Sequence, residues 1–136
     1  MANEKILVAD DEVQYVEVIS YKFRNAGLEV ISAANGREAL ELAKKERPDL
    51  VIIDYQMPEM DGLELCVEIR KDPKISQVPV ILLTAYDMII NEREQKMAKI
   101  NALMSKPFSP RELLTKAREL LSQTCAISGI QERGYI

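Results

Sequence analysis

The amino-acid sequence predicts an α/β protein in three layers, in which helices cover both faces of a doubly wound, five-stranded parallel sheet. Short apolar runs alternate with longer amphipathic runs along the chain, and there are five of each. The third short run, residues 50–53, is apolar on both faces, which is typical of a central parallel strand. At 136 residues the chain is long enough for one self-sufficient core and too short for two, so we expect one domain.

The first two strands and helices are marked by apolar spacing and by residues that end helices. Residues 5–9 and 29–32 are the predicted strands. Gly27 ends the first helix, Asn35-Gly36 makes a turn, and Pro48 closes the second helix. The apolar positions that recur at helical spacing are Val13, Val16, Ile19, Phe23 and Ala26 in the first helix and Ala39, Leu40 and Ala43 in the second.

The next elements continue the alternation. The third helix is predicted at residues 62–70 and breaks at Asp72-Pro73, after which residues 80–83 form the fourth strand. A strongly polar run predicts a fourth helix at residues 88–99, on the surface of the protein. The fifth strand contains residues 103–105.

The fifth helix has a clear start. Ser109 is the expected N-cap, Pro110 occupies the first helical position, and Glu112 completes a capping box. The apolar residues expected to face the sheet are Leu113, Leu114, Ala117, Leu120 and Leu121. Residues 125–136 show no clear period, so we predict a domain over residues 1–124 followed by a tail or the start of a linker.

Composition excludes several classes of function. The net charge of −4 and the pI near 5.0 argue against nucleic-acid binding by this domain. The longest apolar stretch, residues 80–83, is far below the roughly 18 residues that span a bilayer, and no signal-peptide pattern is present at the N-terminus. We therefore expect a cytoplasmic protein without a membrane segment. Cys66 and Cys125 form no disulfide framework, and we expect both to be reduced thiols.

Charged residues stand where predicted strands end. Asp10 and Asp11 follow the first strand, Asp54 follows the third, and Lys106 follows the fifth. Because the carboxyl ends of parallel strands meet at one edge, three carboxylates and one ammonium are expected there, which leaves negative charge uncompensated. Hard oxygen ligands and the absence of histidine favour Mg²⁺ over zinc or copper. An isolated Asp-Asp pair is more commonly a helix cap, but the other strand ends favour a phosphate-handling site.

These spacings are accompanied by short motifs. The motifs are Asp54-Tyr55-Gln56-Met57-Pro58, Met60-Asp61-Gly62, Thr84-Ala85 and Lys106-Pro107-Phe108. Together they resemble the receiver domain of two-component response regulators over residues 5–121, nearly the whole chain. The resemblance implies a flavodoxin-like fold with strand order 2-1-3-4-5, and a cis bond between Lys106 and Pro107.

The resemblance also implies a role for each site residue. Asp54 is the nucleophile that accepts a phosphoryl group, and Lys106 and Thr84 contact that group. Asp11, Asp54 and the backbone carbonyl of Gln56 hold Mg²⁺, while Asp10 acts through a metal-bound water. Such a domain catalyses its own phosphorylation and dephosphorylation and is not an enzyme acting on other substrates.

The implied partners are proteins. The phosphoryl donor is the phosphohistidine of a sensor histidine kinase or of a histidine phosphotransfer protein. A homodimer or a downstream effector is expected to use the face made by the fourth helix, the fifth strand and the fifth helix.

Two features depart from the family pattern or are particular to this chain. Leu103 stands where family members commonly carry an aromatic residue that moves together with the threonine, which puts the usual coupling in doubt. Gln56 and Tyr86 flank the expected path of a hydrolytic water, and we hypothesise that Tyr86 shields the phosphoryl group and slows its loss.

Two other functions compete with this interpretation. A phosphatase of the haloacid-dehalogenase type also uses an aspartate nucleophile and Mg²⁺, but it requires a second aspartate two positions later, where this chain has Gln56. A degenerate receiver that serves as a constitutive protein-interaction module is favoured by Leu103 and disfavoured by the intact acidic residues.

Overall fold

The sheet has the predicted size, direction and strand order. The computed structural model describes residues 3–85 and 92–133, and within them one five-stranded sheet is formed. Its order is β2-β1-β3-β4-β5, and every neighbouring pair is parallel. Its strands are β1 Lys5–Ala9, β2 Glu29–Ala33, β3 Leu50–Asp54, β4 Val80–Ala85 and β5 Ala102–Lys106.

Helices cover both faces of the sheet, as predicted. In the same described ranges they are α1 Val13–Asn25, α2 Gly36–Glu46, α3 Gly62–Lys71, α4 Glu92–Ala98 and α5 Pro110–Arg133. Alternate strand residues point to opposite faces, so Leu7 packs with α2 and α3 in one core cluster while Ile6 and Val8 pack with α1 and α5 in the other. The flavodoxin-like, three-layer α/β architecture is thereby confirmed.

Capping residues and a glycine mark the ends of these helices. Gly27, two residues after the end of α1, has a φ of 90°, a left-handed conformation that glycine adopts without strain. Asn35, predicted as part of a turn, is the N-cap of α2, and its side chain accepts a hydrogen bond of 2.8 Å from the backbone N–H of Glu38. Asp61 and Glu64 form a capping box at the start of α3.

Gly62 brings α3 close to the carboxyl end of β3. A Cβ atom at this position would lie 2.6 Å from the backbone oxygen of Asp54, which is closer than side chains approach backbone atoms. The backbone N–H of Gly62 also donates to the carbonyl of Tyr55 at 2.8 Å. A glycine is therefore required for the helix to pack against this end of the strand.

Some boundaries and orientations differ from the prediction. Val13 is 65% exposed, because the first turn of α1 borders the open edge of the sheet. The predicted fourth helix is helical over Glu92–Ala98 and ends one residue earlier than expected, while residues 86–91 lie outside the described part of the chain. The fifth helix begins as expected, with Ser109 Oγ accepting from the backbone N–H of Glu112 at 3.3 Å. It continues to Arg133, so most of the segment predicted as tail or linker is helical.

Other side chains behave as expected. Cys66 is buried, and burial raises the pKa of its thiol to about 11, which makes it unreactive. The side chain of Cys125 lies outside the described residues. Met57 and Met60 pack against one core cluster and Met104 against the other, as expected for packing residues. Among the described residues, the structure has no helix with the length and apolar character of a membrane span.

Candidate functional site

The predicted site residues converge at the carboxyl edge of the sheet. Asp10 directly follows β1, Asp54 is the last residue of β3, and Lys106 is the last residue of β5. A cleft of about 360 Å³ opens at this edge. Its lining residues are Asp11, Glu12, Tyr15, Asp54, Gln56, Ala85, Lys106 and Pro107. Four distant segments of the chain therefore form one site, as the sequence predicted.

Acidic side chains are concentrated in this cleft. One carboxylate oxygen from each of Asp10, Asp11, Glu12 and Asp54 lies within 4.8 Å of the others. Asp10 and Asp54 are buried, with 2% and 4% of their surface exposed, whereas Asp11 and Glu12 are exposed. The backbone N–H of Glu12 donates to Asp10 Oδ1 at 2.9 Å, which fixes the buried carboxylate in place.

Lys106 is the cation that faces this cluster. Its Nζ lies 2.9 Å from Asp10 Oδ2, 3.0 Å from Glu12 Oε1 and 3.3 Å from Asp54 Oδ1. The peptide bond that follows it, between Lys106 and Pro107, is cis, which confirms the expectation drawn from the family. Among the described residues, one ammonium faces four carboxylates, which gives this group of side chains an excess of negative charge.

Burial and crowding shift the pKa values in the cleft. Burial, together with the charge of Asp10, raises the pKa of Asp54 to about 6, although Lys106 partly opposes the shift. Burial also raises the pKa of Asp10, against the opposing effect of its hydrogen bonds. For Lys106, burial works against the charged form, but hydrogen bonds to Asp10 and Glu12 outweigh it and raise the pKa. Lys106 is therefore a permanent cation in this site.

The other predicted site residues lie nearby. Gln56 is exposed and lines the cleft two positions after Asp54. Thr84 is 4% exposed near the end of β4, one residue before Ala85, which lines the cleft. Tyr86, the predicted shielding residue, lies outside the described residues.

Two residues of the cleft were not expected from the sequence. Glu12 bonds Lys106, and the Nζ of Lys106 also lies 4.0 Å from the centroid of the Tyr15 ring. Tyr15 lies four positions after Asp11 in the sequence, but α1 begins only at Val13, so helical periodicity alone did not place Tyr15 in the cleft.

The donor set fits a hard divalent cation. Carboxylate oxygens are ligands that Mg²⁺ prefers, and no described sulfur or nitrogen ligand belongs to the acidic cluster. The raised pKa of buried Asp54 shows that its ionised form is electrostatically unfavourable, and a bound cation would stabilise that form.

The fold and site define a receiver domain of two-component signalling. Residues 6–118 match the family model described as the response regulator receiver domain, so the chain belongs to that family.

Curated relatives and solved structures agree with this assignment. The chain is 36% identical over 122 residues to the alkaline phosphatase synthesis transcriptional regulatory protein PhoP of Bacillus subtilis, covering 90% of this chain and 50% of PhoP. It is 38% identical over 136 residues to the probable transcriptional regulator ycf27 of Porphyra purpurea, covering 98% of this chain and 55% of that protein. The chain thus spans about half the length of these relatives.

Two solved structures illustrate the structural likeness. The chemotaxis protein CheY4 of Vibrio cholerae superposes with a TM-score of 0.81 at 34% identity, covering 88% of this chain and 99% of CheY4. The receiver domain of the sensor histidine kinase PA1611 of Pseudomonas aeruginosa superposes with a TM-score of 0.80 at 29% identity, covering 89% of this chain and 99% of that domain. That domain has a magnesium ion coordinated in its active-site cleft.

Proposed function

We propose that this domain accepts a phosphoryl group on Asp54 from the phosphohistidine of a sensor histidine kinase or a histidine phosphotransfer protein, in a reaction that depends on Mg²⁺. The observation that carries the proposal is a buried carboxylate with the ammonium of Lys106 3.3 Å away, in a cleft rich in further carboxylates. In this proposal Asp11, Asp54 and the backbone carbonyl of Gln56 hold the metal ion, and Asp10 acts through a metal-bound water.

The reaction requires little covalent chemistry from the protein. One carboxylate oxygen of Asp54 forms the new bond to phosphorus, the bond between phosphorus and the histidine nitrogen breaks, and its electron pair leaves with the imidazole. Lys106 stabilises the charge on the phosphoryl oxygens as the transition state forms. When bound, Mg²⁺ supplies further positive charge to these oxygens. Dephosphorylation is a separate step, in which a water oxygen bonds to phosphorus, the bond between phosphorus and the Asp54 oxygen breaks, and the carboxylate leaves with the electron pair as inorganic phosphate is released. The same groups would stabilise this transition state, so the domain would catalyse its own dephosphorylation.

Phosphorylation would then act as a switch. The acyl phosphate adds negative charge and acceptor oxygens, which draw the ammonium of Lys106 and the hydroxyl of Thr84 toward the phosphoryl group. A dimer partner or effector would bind the face formed by α4, β5 and α5. Met97 and Leu103 support this proposal because they are large apolar side chains on α4 and β5 that are 56% and 47% exposed.

We propose a domain over residues 1–124, with residues 125–136 as a C-terminal tail or the start of a linker. We propose a cytoplasmic location and no direct contact of this domain with nucleic acid, on the basis of its acidic composition. The two relatives named above are described as transcriptional regulators, and such an output would require a segment beyond this domain.

Intact-protein mass spectrometry tests the proposal. The chain is incubated with acetyl phosphate and Mg²⁺, beside Asp54→Asn as the matched control. We expect the wild-type chain to gain the mass of one phosphoryl group, the Asn variant to gain none, and chelation with EDTA to abolish the gain. An unmodified wild-type chain would contradict the switch and favour the constitutive interaction module.

A further inference from the structure

Tyr15 connects the first turn of α1 to the lysine of the cleft. The Nζ of Lys106 lies 4.0 Å from the centroid of the Tyr15 ring, within the range of a cation–π interaction. The same ring packs against Phe108, with 5.3 Å between the centroids and 36° between the planes. Both aromatic residues are partly buried, and Tyr15 lines the cleft beside Asp54. The ring is thus held in place on one side and in contact with the ammonium on another.

The other contacts of Lys106 differ in kind from this one. Asp10 and Glu12 attract the ammonium through hydrogen bonds at 2.9 and 3.0 Å, and those hydrogen bonds compete with a phosphoryl group for the same donors. The ring attracts the positive charge through its π face and takes up no charge-assisted hydrogen bond. The ring of Tyr15 therefore restricts the movement of the flexible Lys106 side chain. It does not oppose the transfer of the ammonium's hydrogen bonds to the phosphoryl oxygens.

We propose that Tyr15 is a positioning residue, which holds the ammonium of Lys106 beside Asp54 and so accelerates phosphoryl transfer. The inference rests on the proposed function, because it assigns Tyr15 to the reaction at Asp54. With acetyl phosphate, an Asp54 oxygen bonds to phosphorus, the phosphorus–oxygen bond of the donor breaks, and acetate leaves with the electron pair. Tyr15 takes no part in these bonds and acts only by reducing the freedom of Lys106.

Three variants separate a role of the ring from a general effect on folding. Tyr15→Phe keeps the ring, Tyr15→Leu removes it, and Tyr21→Leu removes a 73% exposed tyrosine from the same helix as a matched control. Rates of phosphorylation by acetyl phosphate are measured at saturating Mg²⁺. We expect Tyr15→Leu to be slower by roughly three- to tenfold, and Tyr15→Phe and Tyr21→Leu to stay within about twofold of wild type.

A second measurement is independent of phosphorylation and of the metal. In metal-free protein, the CεH₂ protons of Lys106 are expected to resonate upfield of ordinary lysine because of the ring current of Tyr15. Tyr15→Phe should retain this shift and Tyr15→Leu should abolish it. An ordinary lysine shift in the wild type would overturn the proposed contact, whatever the stability of the Leu variant.

The outcomes distinguish this inference from the proposed function. Wild-type rates in Tyr15→Leu, or equal slowing in Tyr15→Leu and Tyr15→Phe, would overturn the role of the ring. If the wild-type chain gains no phosphoryl group at all, the proposed function fails and the role of Tyr15 in catalysis fails with it, while the lysine shift still reports whether the contact exists.

Discussion

At the scale of single residues, Asp54 combines deep burial with a charge that the metal-free protein stabilises poorly. Burial and the neighbouring Asp10 raise its pKa to about 6 from 3.8, so the folded state binds a proton more tightly than the unfolded state. By linkage, Asp54 contributes favourably to the stability of the folded state while it is protonated. This contribution is fully present below about pH 4 and is lost as the pH rises through about 6. The ionised carboxylate therefore lowers the stability of the metal-free domain at neutral pH.

Replacing Asp54 with asparagine should remove this pH-dependent cost. In EDTA at pH 7.5 we expect Asp54→Asn to raise the free energy of unfolding by about 2 kcal/mol, because the amide has nearly the same shape and carries no charge. The gain should shrink between pH 7 and pH 5 and vanish near pH 4. Urea unfolding of both proteins across this range measures it, and a difference that does not change with pH would contradict the assignment.

The sequence predicted the site residues at the strand ends, but it did not predict Glu12 and Tyr15. Asp10, Asp54 and Lys106 could be placed because each ends a strand, and parallel strands end at a common edge. Glu12 and Tyr15 belong to the connection between β1 and α1 and to the first helical turn. The direction in which the side chains of Glu12 and Tyr15 point depends on the angle at which α1 leaves the sheet. Hydrophobic periodicity does not specify that angle.

At the scale of elements, Arg70 joins the end of α3 to the end of α4. Its guanidinium donates to the backbone oxygens of Ala98 and Lys99, at 2.9 and 2.8 Å. It also donates to the backbone oxygens of Ser76 and Val78, in the connection that precedes β4. Ala98 is buried, and these charge-assisted hydrogen bonds attach the end of α4 to α3.

Removing the guanidinium should therefore destabilise the domain. We expect Arg70→Met to lower the free energy of unfolding by about 3 kcal/mol, since it leaves several backbone carbonyls without their charged donor. Arg37→Met, at an exposed position on α2, is the matched control and should change stability by less than about 0.5 kcal/mol. Denaturant unfolding compares the two, and equal effects would show that Arg70 does not hold α4 in place.

Helix ends were less predictable than helix positions. The periodic apolar residues located α5 correctly, yet the helix runs on to Arg133 through a segment without clear periodicity. Periodicity reports which residues are buried, whereas extending an existing helix requires only that each further residue form its backbone hydrogen bond. A pattern of apolar residues therefore does not determine the residue at which a helix ends.

At the scale of the whole molecule, the alternation of strands and helices predicted a parallel sheet covered on both faces, but not the order of its strands. That order came from the resemblance to receiver domains, because local patterns do not specify which strands become neighbours. Once the order is known, the position of β3 between β1 and β4 places Asp54 at the centre of the carboxyl edge.

Magnesium should stabilise the folded molecule as a whole. The metal ion would bind the folded site and not the unfolded chain, so Mg²⁺ at about 100 times its Kd should raise the free energy of unfolding by about 2.7 kcal/mol. Asp11→Asn should lose most of this gain, whereas Glu41→Gln, an exposed residue on α2, should keep it. Thermal unfolding with and without Mg²⁺ measures the effect, and equal stabilisation of both variants would place the metal ion elsewhere.

The close approach of Gly62 to the backbone of Asp54 limits the substitutions that this domain tolerates. A side chain there would collide with the backbone of Asp54, so a substitution of Gly62 would disturb the end of β3 that carries this carboxylate. The β1–α1 connection and the first turn of α1 instead contribute partly or fully exposed side chains to the cleft, among them Glu12 and Tyr15. Under the function proposed for Asp54, we expect substitutions at these exposed positions to change the rate of phosphoryl transfer while the packing of α3 against β3 stays the same.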